Sequence, residues 1–245
     1  MQNRIVLVTG STSGIGLEIA KKFADNEYTV FINYASDKSK AEKAVSELHT
    51  HRVHLVQADV SIESQVTNMF EKIRYDFGFL DVLVNNAGTS INESIGEINV
   101  QNFRRVLDVN LIGKVLCTKY ALPLLKKAVD PCIINVASRL GIKPCVGASA
   151  YCASEAALIN FTQASALELA SYSIRVNSVS PGLTLTSLSQ SKWSSEEIEK
   201  IRARIPLGRL GKTTDISAAV FFLASTESGY INGENINISG GVLLT

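Results

Sequence analysis

The segment Thr9-Gly10-Ser11-Thr12-Ser13-Gly14-Ile15-Gly16 sets three glycines at fixed spacing between an apolar run and an amphipathic one. A glycine turn leading into a helix exposes backbone N–H groups at the positive end of the helix dipole, which favours a pyrophosphate. Gly10, Ser13, Gly14, Ile15 and Gly16 are therefore candidate contacts to a dinucleotide. The spacing is TGxxxGxG and not the commoner GxGxxG, so a tight turn with packing glycines is the competing reading.

A dinucleotide site of this type usually carries an acidic residue at the end of the second strand, where it holds a ribose 2′-hydroxyl. Here that stretch reads Phe31-Ile32-Asn33-Tyr34-Ala35-Ser36, with no carboxylate, and Asp37 follows it as a cap for the next helix. Tyr34 and Ser36 are the candidate contacts, and Ser36 with Lys38 can meet a 2′-phosphate. NADP(H) is therefore preferred, and NAD(H) remains open because no arginine fork is present.

These residues need a scaffold, and the chain alternates short β-branched runs with longer helix-period stretches, as parallel strands joined by crossover helices do. Strands are expected at Ile5 to Thr9, Thr29 to Tyr34, Val53 to Gln57, Val82 to Asn85, Cys132 to Val136, Ile174 to Val179 and Asn235 to Ile238. Most are continuously apolar, which fits burial on both faces. Helices are expected over Gly16 to Asp25, Lys38 to His49, Glu63 to Phe77, Val100 to Lys127, Ala150 to Tyr172, Ser195 to Arg204 and Thr213 to Ala224. The fold class is α/β: a doubly wound Rossmann-type arrangement with a seven-stranded parallel sheet. Without a linker or repeat, residues 1–245 read as one domain.

A chain of 245 residues, 46% apolar and 19% charged, is long enough to bury a large core without metal or disulfide staples. A formal charge of +1 lacks the basic excess of a non-specific nucleic-acid binder. Cys117, Cys132, Cys145 and Cys152 match neither metal-ligand pairs nor a secreted framework, and read as buried thiols in a reducing cytoplasm. No apolar run reaches the ~20 residues of a membrane span, and no signal-peptide core precedes the first strand. The expectation is a cytoplasmic protein without membrane, metal or nucleic-acid partners.

Further motifs follow in order: Asp59-Val60, Asn85-Asn86-Ala87-Gly88, Asn110, Ser138, Tyr151, Pro181-Gly182 with Thr184 and Thr186, and Ile205-Pro206-Leu207-Gly208-Arg209-Leu210-Gly211. Together with the glycine turn, the chain resembles a short-chain dehydrogenase/reductase of the 3-oxoacyl-(acyl-carrier-protein) reductase type over nearly its whole length. The resemblance implies Asp59 and Val60 at the adenine, Asn86, Ala87 and Gly88 beside its ribose, and Pro181, Gly182, Thr184 and Thr186 around the nicotinamide amide and phosphates. It also implies Tyr151 as proton donor, Ser138 as a second hydrogen bond to the carbonyl, and Asn110 as holder of a relay water. Carbonyl reduction needs such a donor and such a polarising group.

The fourth member of the family pattern is Tyr-x-x-x-Lys, and the chain reads Tyr151-Cys152-Ala153-Ser154-Glu155. Residues four apart share a helix face, so Glu155 should point toward Tyr151 and the nicotinamide ribose. A unit charge ~5 Å away at an effective dielectric of ~20 is worth roughly 3 kcal/mol. Reversing its sign therefore costs about 6 kcal/mol, or ~10⁴ in rate. Tyrosine still holds its proton at neutral pH, so alcohol oxidation should suffer more than reduction. Arg139 and Lys114 are the cations that can compensate; a solvated Arg139 and a Lys114 on an interface helix are the alternatives.

Substrate is expected to enter over a lid at about 183–204, which contains Trp193. Substrate is a small molecule or a carrier-bound acyl group, with a 3-oxoacyl thioester implied by the resemblance. It also implies a homotetramer or homodimer through the Val100 to Lys127 and Ala150 to Tyr172 helices and the Asn235 to Thr245 end. Two rival readings stand beside the reductase: a cofactor-binding subunit without turnover, and non-redox chemistry with Glu155 as general acid or base.

Overall fold

The computed structural model describes residues 4–48, 50–186 and 194–245. Its described strands, in chain order, are β1 (Ile5–Val8), β2 (Thr29–Tyr34), β3 (Val53–Gln57), β4 (Val82–Asn85), β5 (Cys132–Val136), β6 (Arg175–Pro181), β7 (Thr184–Leu185), β8 (Gly211–Lys212) and β9 (Asn235–Ile238). Seven form one parallel sheet in the order β3-β2-β1-β4-β5-β6-β9, the doubly wound architecture expected from the sequence. The short β7–β8 pair is additional. The helices are α1 (Gly14–Ala24), α2 (Lys38–Ser46), α3 (Glu63–Asp76), α4 (Val100–Leu107), α5 (Gly113–Leu125), α6 (Ser149–Leu169), α7 (Ser195–Arg202) and α8 (Thr213–Ala224).

Strand side chains alternate between the two faces, and each face finds its own helices. Ile5, Leu7, Leu83 and Ile133 pack with Val66 and Phe70 of α3 and Cys117 and Leu124 of α5. Val6, Val8, Val84 and Ile134 pack with Ile19 and Phe23 of α1 and Val220 and Leu223 of α8. Because the chain winds outward from β1 to β3 and then returns to β4, the carboxyl ends of β1 and β4 border the crevice where open α/β sheets bind ligands.

Three polar side chains inside this core are linked across elements. Asn85 Nδ2 donates to Asn135 Oδ1 at 2.9 Å, and Asn135 Nδ2 donates to Thr162 Oγ1 of α6 at 2.9 Å. This chain fixes β4, β5 and α6 at the level of the crevice.

The single helix expected over Val100 to Lys127 is instead two helices joined by a π-helical segment, Asp108–Ile112. Asn110, wholly buried within it, accepts from Thr89 N at 2.8 Å and donates to Thr89 O at 3.0 Å. Such widened turns let a side chain serve a wall outside the regular helical ladder. Among the cysteines, Cys117, Cys132 and Cys152 are buried, but Cys145 is exposed, contrary to expectation, because it lies on the loop before α6. Burial pushes the Cys117 and Cys132 thiols up to about 12, which leaves them unreactive. Among the described residues, no helix is long and apolar enough to cross a membrane.

Asn135→Val should leave Asn85 Nδ2 with only its 3.3 Å bond to Thr118 Oγ1, and Thr162 Oγ1 donating to Leu158 O without the donor it accepts from Asn135. The expected loss is about 2 kcal/mol, or roughly 4–8 °C of Tm by circular dichroism. An unchanged Tm would show that the chain of side-chain bonds carries no stability.

Candidate active site

The turn after β1 is held from three directions. Thr9 Oγ1 accepts from the backbone N–H groups of Asn86 and Ala87, at 2.9 and 3.0 Å. Asn86 Nδ2 donates back to Thr9 O and Gly10 O, at 2.9 and 3.1 Å. Asn33, from β2, accepts from Gly10 N at 3.1 Å and donates to Ala58 O beyond β3 at 3.0 Å. The ends of β1, β2, β3 and β4 are thereby tied together around one loop.

Glycine is required where this loop is closest to its neighbours. Gly10 has φ +60°, and a Cβ there would stand 2.9 Å from the Ala87 Cα. A Cβ on Gly16 would come within 2.4 Å of Asn86 Nδ2 and 2.6 Å of the Gly10 carbonyl. Ser13 occupies the N-cap position of α1 without making a side-chain cap, and the first turn carries no acidic residue. The helix end thus keeps donors and positive potential for a bound anion.

A cavity of about 750 Å³ runs from this turn to the end of β5. Gly10, Ser13, Gly14, Ile15 and Gly16 line one end, and Asp59, Val60, Asn86, Ala87 and Gly88 line the adjoining wall. Ser138, Tyr151 and Glu155 line the other end, with Pro181, Gly182, Thr184 and Thr186 closing it. Tyr34 and Ser36 do not line it; Asn33 and Ala35 do. The two-residue period of β2 accounts for this: Asn33 bonds to the turn, Tyr34 follows on the other face, and Ser36 lies exposed beyond the strand. Asp37 caps α2 by accepting from Lys40 N at 2.9 Å, and Lys38 pairs with Glu42 at 3.6 Å. Trp193 lies outside the described residues, as does the rest of the lid's 187–193 stretch.

Asp59 is not a free carboxylate. Burial raises its pKa, but hydrogen bonds from Ser61 and the Arg105 guanidinium, 2.9 Å away, outweigh that and hold it below the usual range. Arg105 lines the same wall and was not singled out in the sequence.

At the other end, Ser138 follows β5 and Tyr151 sits in the first turn of α6, and both line the cavity. Burial pushes the Tyr151 phenol well above the ordinary tyrosine range, and the Glu155 carboxylate pushes it further, against the lowering influence of the Ser138 hydroxyl. Glu155 is buried one helical turn on, and its Oε1 accepts from Asn110 Nδ2 at 3.2 Å. Asn110 itself stands behind the wall and not on the cavity surface, donating also to Ser154 Oγ at 3.2 Å. Lys114 lines the cavity from α5, buried, with Nζ donating to Val136 O at 2.7 Å. Arg139 is not among the lining residues. Among the described residues, no cluster of metal-ligating side chains occurs.

A family model described as enoyl-(acyl carrier protein) reductase matches residues 10–243. The chain is 36% identical over 240 residues to a meso-2,3-butanediol dehydrogenase of Serratia marcescens, covering 98% of this chain and 94% of that protein. It is 38% identical over 240 residues to a 3-oxoacyl-(acyl-carrier-protein) reductase FabG of Staphylococcus aureus, covering 97% of each. A reductase of the same name from Staphylococcus epidermidis is 36% identical over 244 residues, covering 99% and 100%. The chain belongs to the short-chain dehydrogenase/reductase family, as an oxidoreductase of that family.

Gly10→Ala should cost more than Gly78→Ala, although both positions have positive φ, because nothing lies within 4 Å of a Cβ at Gly78. The shared conformational cost is about 1 kcal/mol, and the excess at Gly10 measures the Ala87 contact. Equal Tm losses would show that the turn is not pressed against β4.

Proposed function

We propose that the chain is an NADPH-dependent reductase of a ketone, a 3-oxoacyl thioester by preference, with Tyr151 as proton donor. The observation that carries this reading is one cavity with an anion-ready glycine turn at one end and a Tyr151–Ser138 hydroxyl pair at the other. The uncapped α1 terminus and the closely packed glycines fit a dinucleotide. The absence of a free carboxylate at the β2 end, where Asp37 is engaged as a cap, supports NADPH over NADH. The turn residues and the Asn86 to Gly88 wall hold the cofactor, Asp59 and Val60 flank its adenine, and Pro181 to Thr186 enclose its nicotinamide end. When bound, the cofactor supplies hydride to the carbonyl carbon.

The chain's own groups do the rest. Ser138 donates a hydrogen bond that polarises the carbonyl, and Tyr151 delivers a proton to the developing alkoxide. A phenol pushed above its ordinary range keeps its proton at neutral pH, the state that reduction requires. The same shift makes Tyr151 a reluctant base for alcohol oxidation.

The raised phenol pKa also supports a second reading, a cofactor-binding subunit with impaired turnover, in which Glu155 occupies the position of the family lysine. A cytoplasmic homotetramer or homodimer completes the proposal, supported by exposed Val100, Ile112 and Leu167 on α4 to α6 and by exposed Leu244 near the end of the chain. Light scattering showing a monomer would remove that part.

NADPH oxidation with a 3-oxoacyl thioester decides between the readings. The expected result is turnover that falls ~10²–10⁴-fold in Tyr151→Phe with NADPH affinity unchanged; tight NADPH binding without turnover would favour the impaired subunit. The pH dependence should separate the two directions. Reduction should stay level through neutral and mildly alkaline pH, while alcohol oxidation keeps rising past the ordinary tyrosine pKa of ~10. A plateau of oxidation below that point would contradict the raised phenol.

A further inference from the structure

Two ionisable side chains of opposite charge are buried at the reaction end of the cavity, and they approach from different helices. Lys114 on α5 and Glu155 on α6 are each 2% exposed. Lys114 spends one N–H on the Val136 carbonyl and has two more to give. Glu155 Oε1 is held by Asn110, while Oε2 is enclosed without a hydrogen-bond partner among the described residues. A buried carboxylate in that state is costly unless a cation faces it.

Two described cations line the cavity, and one of them is committed elsewhere: Arg105 is paired with Asp59. Lys114 is the other. Burial drives its pKa down and that of Glu155 up, and each charge opposes the shift of its partner. The remaining titratable groups facing the pair are Tyr151, which Glu155 acts on from the same helix, Cys117 beside Lys114 on α5, and Cys152 beside Tyr151. Arg139, in the turn after β5, acts on Cys145 and not on either member.

We infer that Lys114 is the positioning cation of this site: across the cavity that both side chains line, its charge offsets the Glu155 carboxylate beside the Tyr151 phenol, so that lysine and glutamate work as one neutral unit. The inference rests on the reductase reading and deepens it. It carries a consequence opposite to that of a merely damaged site. Glu155→Lys should not restore a missing cation; it should place two ammonium groups in one enclosed space and lose activity.

The test is a double-substitution cycle with Lys114→Met, Glu155→Gln and both together, with Glu155→Lys alongside. It reads the Tm of the cofactor-free protein and the pH profile of kcat/KM for NADPH-dependent reduction. Lys114→Met should lower kcat/KM about 10²-fold at neutral pH. That deficit should shrink as pH falls, because Glu155 without its cation takes up a proton and ceases to oppose the phenol. The double variant should recover to within about tenfold of the parent, and its Tm should lie above that of Lys114→Met, since removing both charges leaves none uncompensated. Glu155→Lys should be at least as impaired as Lys114→Met. Additive Tm losses, or a Lys114→Met profile parallel to the parent's, would overturn the coupling, and so would a gain in Glu155→Lys. A parent that binds NADPH without turning over a 3-oxoacyl thioester counts against the reductase reading instead, and the melting temperatures then decide the coupling alone.

Discussion

Everything at the mouth of the sheet depends on a backbone turn pressed against its neighbour strand. Thr9, Asn33 and Asn86 replace what would otherwise be loose loop contacts with side-chain bonds to backbone, Thr9 and Asn86 tying the end of β1 to that of β4 and Asn33 tying it to β2. The cost is that no Cβ is tolerated at Gly10 or Gly16 without displacing backbone or the Asn86 amide. The return is a helix terminus whose donors are fixed in place before any ligand arrives, so little ordering remains to oppose binding.

The opposite end of the cavity is governed by desolvation. Tyr151, Glu155 and Lys114 are all shifted away from their charged forms by burial, and the interactions among them decide which forms persist. Asn110 is central to that arrangement although it does not reach the cavity surface. Its widened helical turn lets one amide serve the Thr89 backbone and Glu155 together. The active groups therefore stand on three rigid pieces, the end of β5, the start of α6 and the α4–α5 junction, with the Asn85–Asn135–Thr162 bonds behind them.

Much of this was legible in the chain. The apolar runs placed the seven strands of the main sheet because parallel strands buried on both faces must be continuously apolar. The glycine spacing placed the turn because close backbone approach admits no other residue. The errors have equally physical causes. The alternation of β2 delivers Asn33 and Ala35 to the cavity, a detail that the end of the strand alone does not convey. The helical period over Val100 to Lys127 does not reveal a π-helical segment, since one wide turn barely changes the apolar repeat. The β7–β8 pair is too short to leave a pattern. Lys114 was visible as a cation four residues after Asn110, but its burial against β5 is a tertiary fact, set by where α5 crosses the sheet. The exposed Cys145 likewise follows from loop position and not from residue type.

The most direct measurement of the central claim is a crystal structure of the protein with NADP⁺ bound. The account requires the pyrophosphate on the Ser13 to Gly16 backbone and the nicotinamide ring at the Tyr151–Ser138 end, leaving room for a carbonyl oxygen roughly 2.6–3.2 Å from both hydroxyls. A pyrophosphate seated away from the α1 terminus, or a nicotinamide ring at the Asp59 wall, would contradict it.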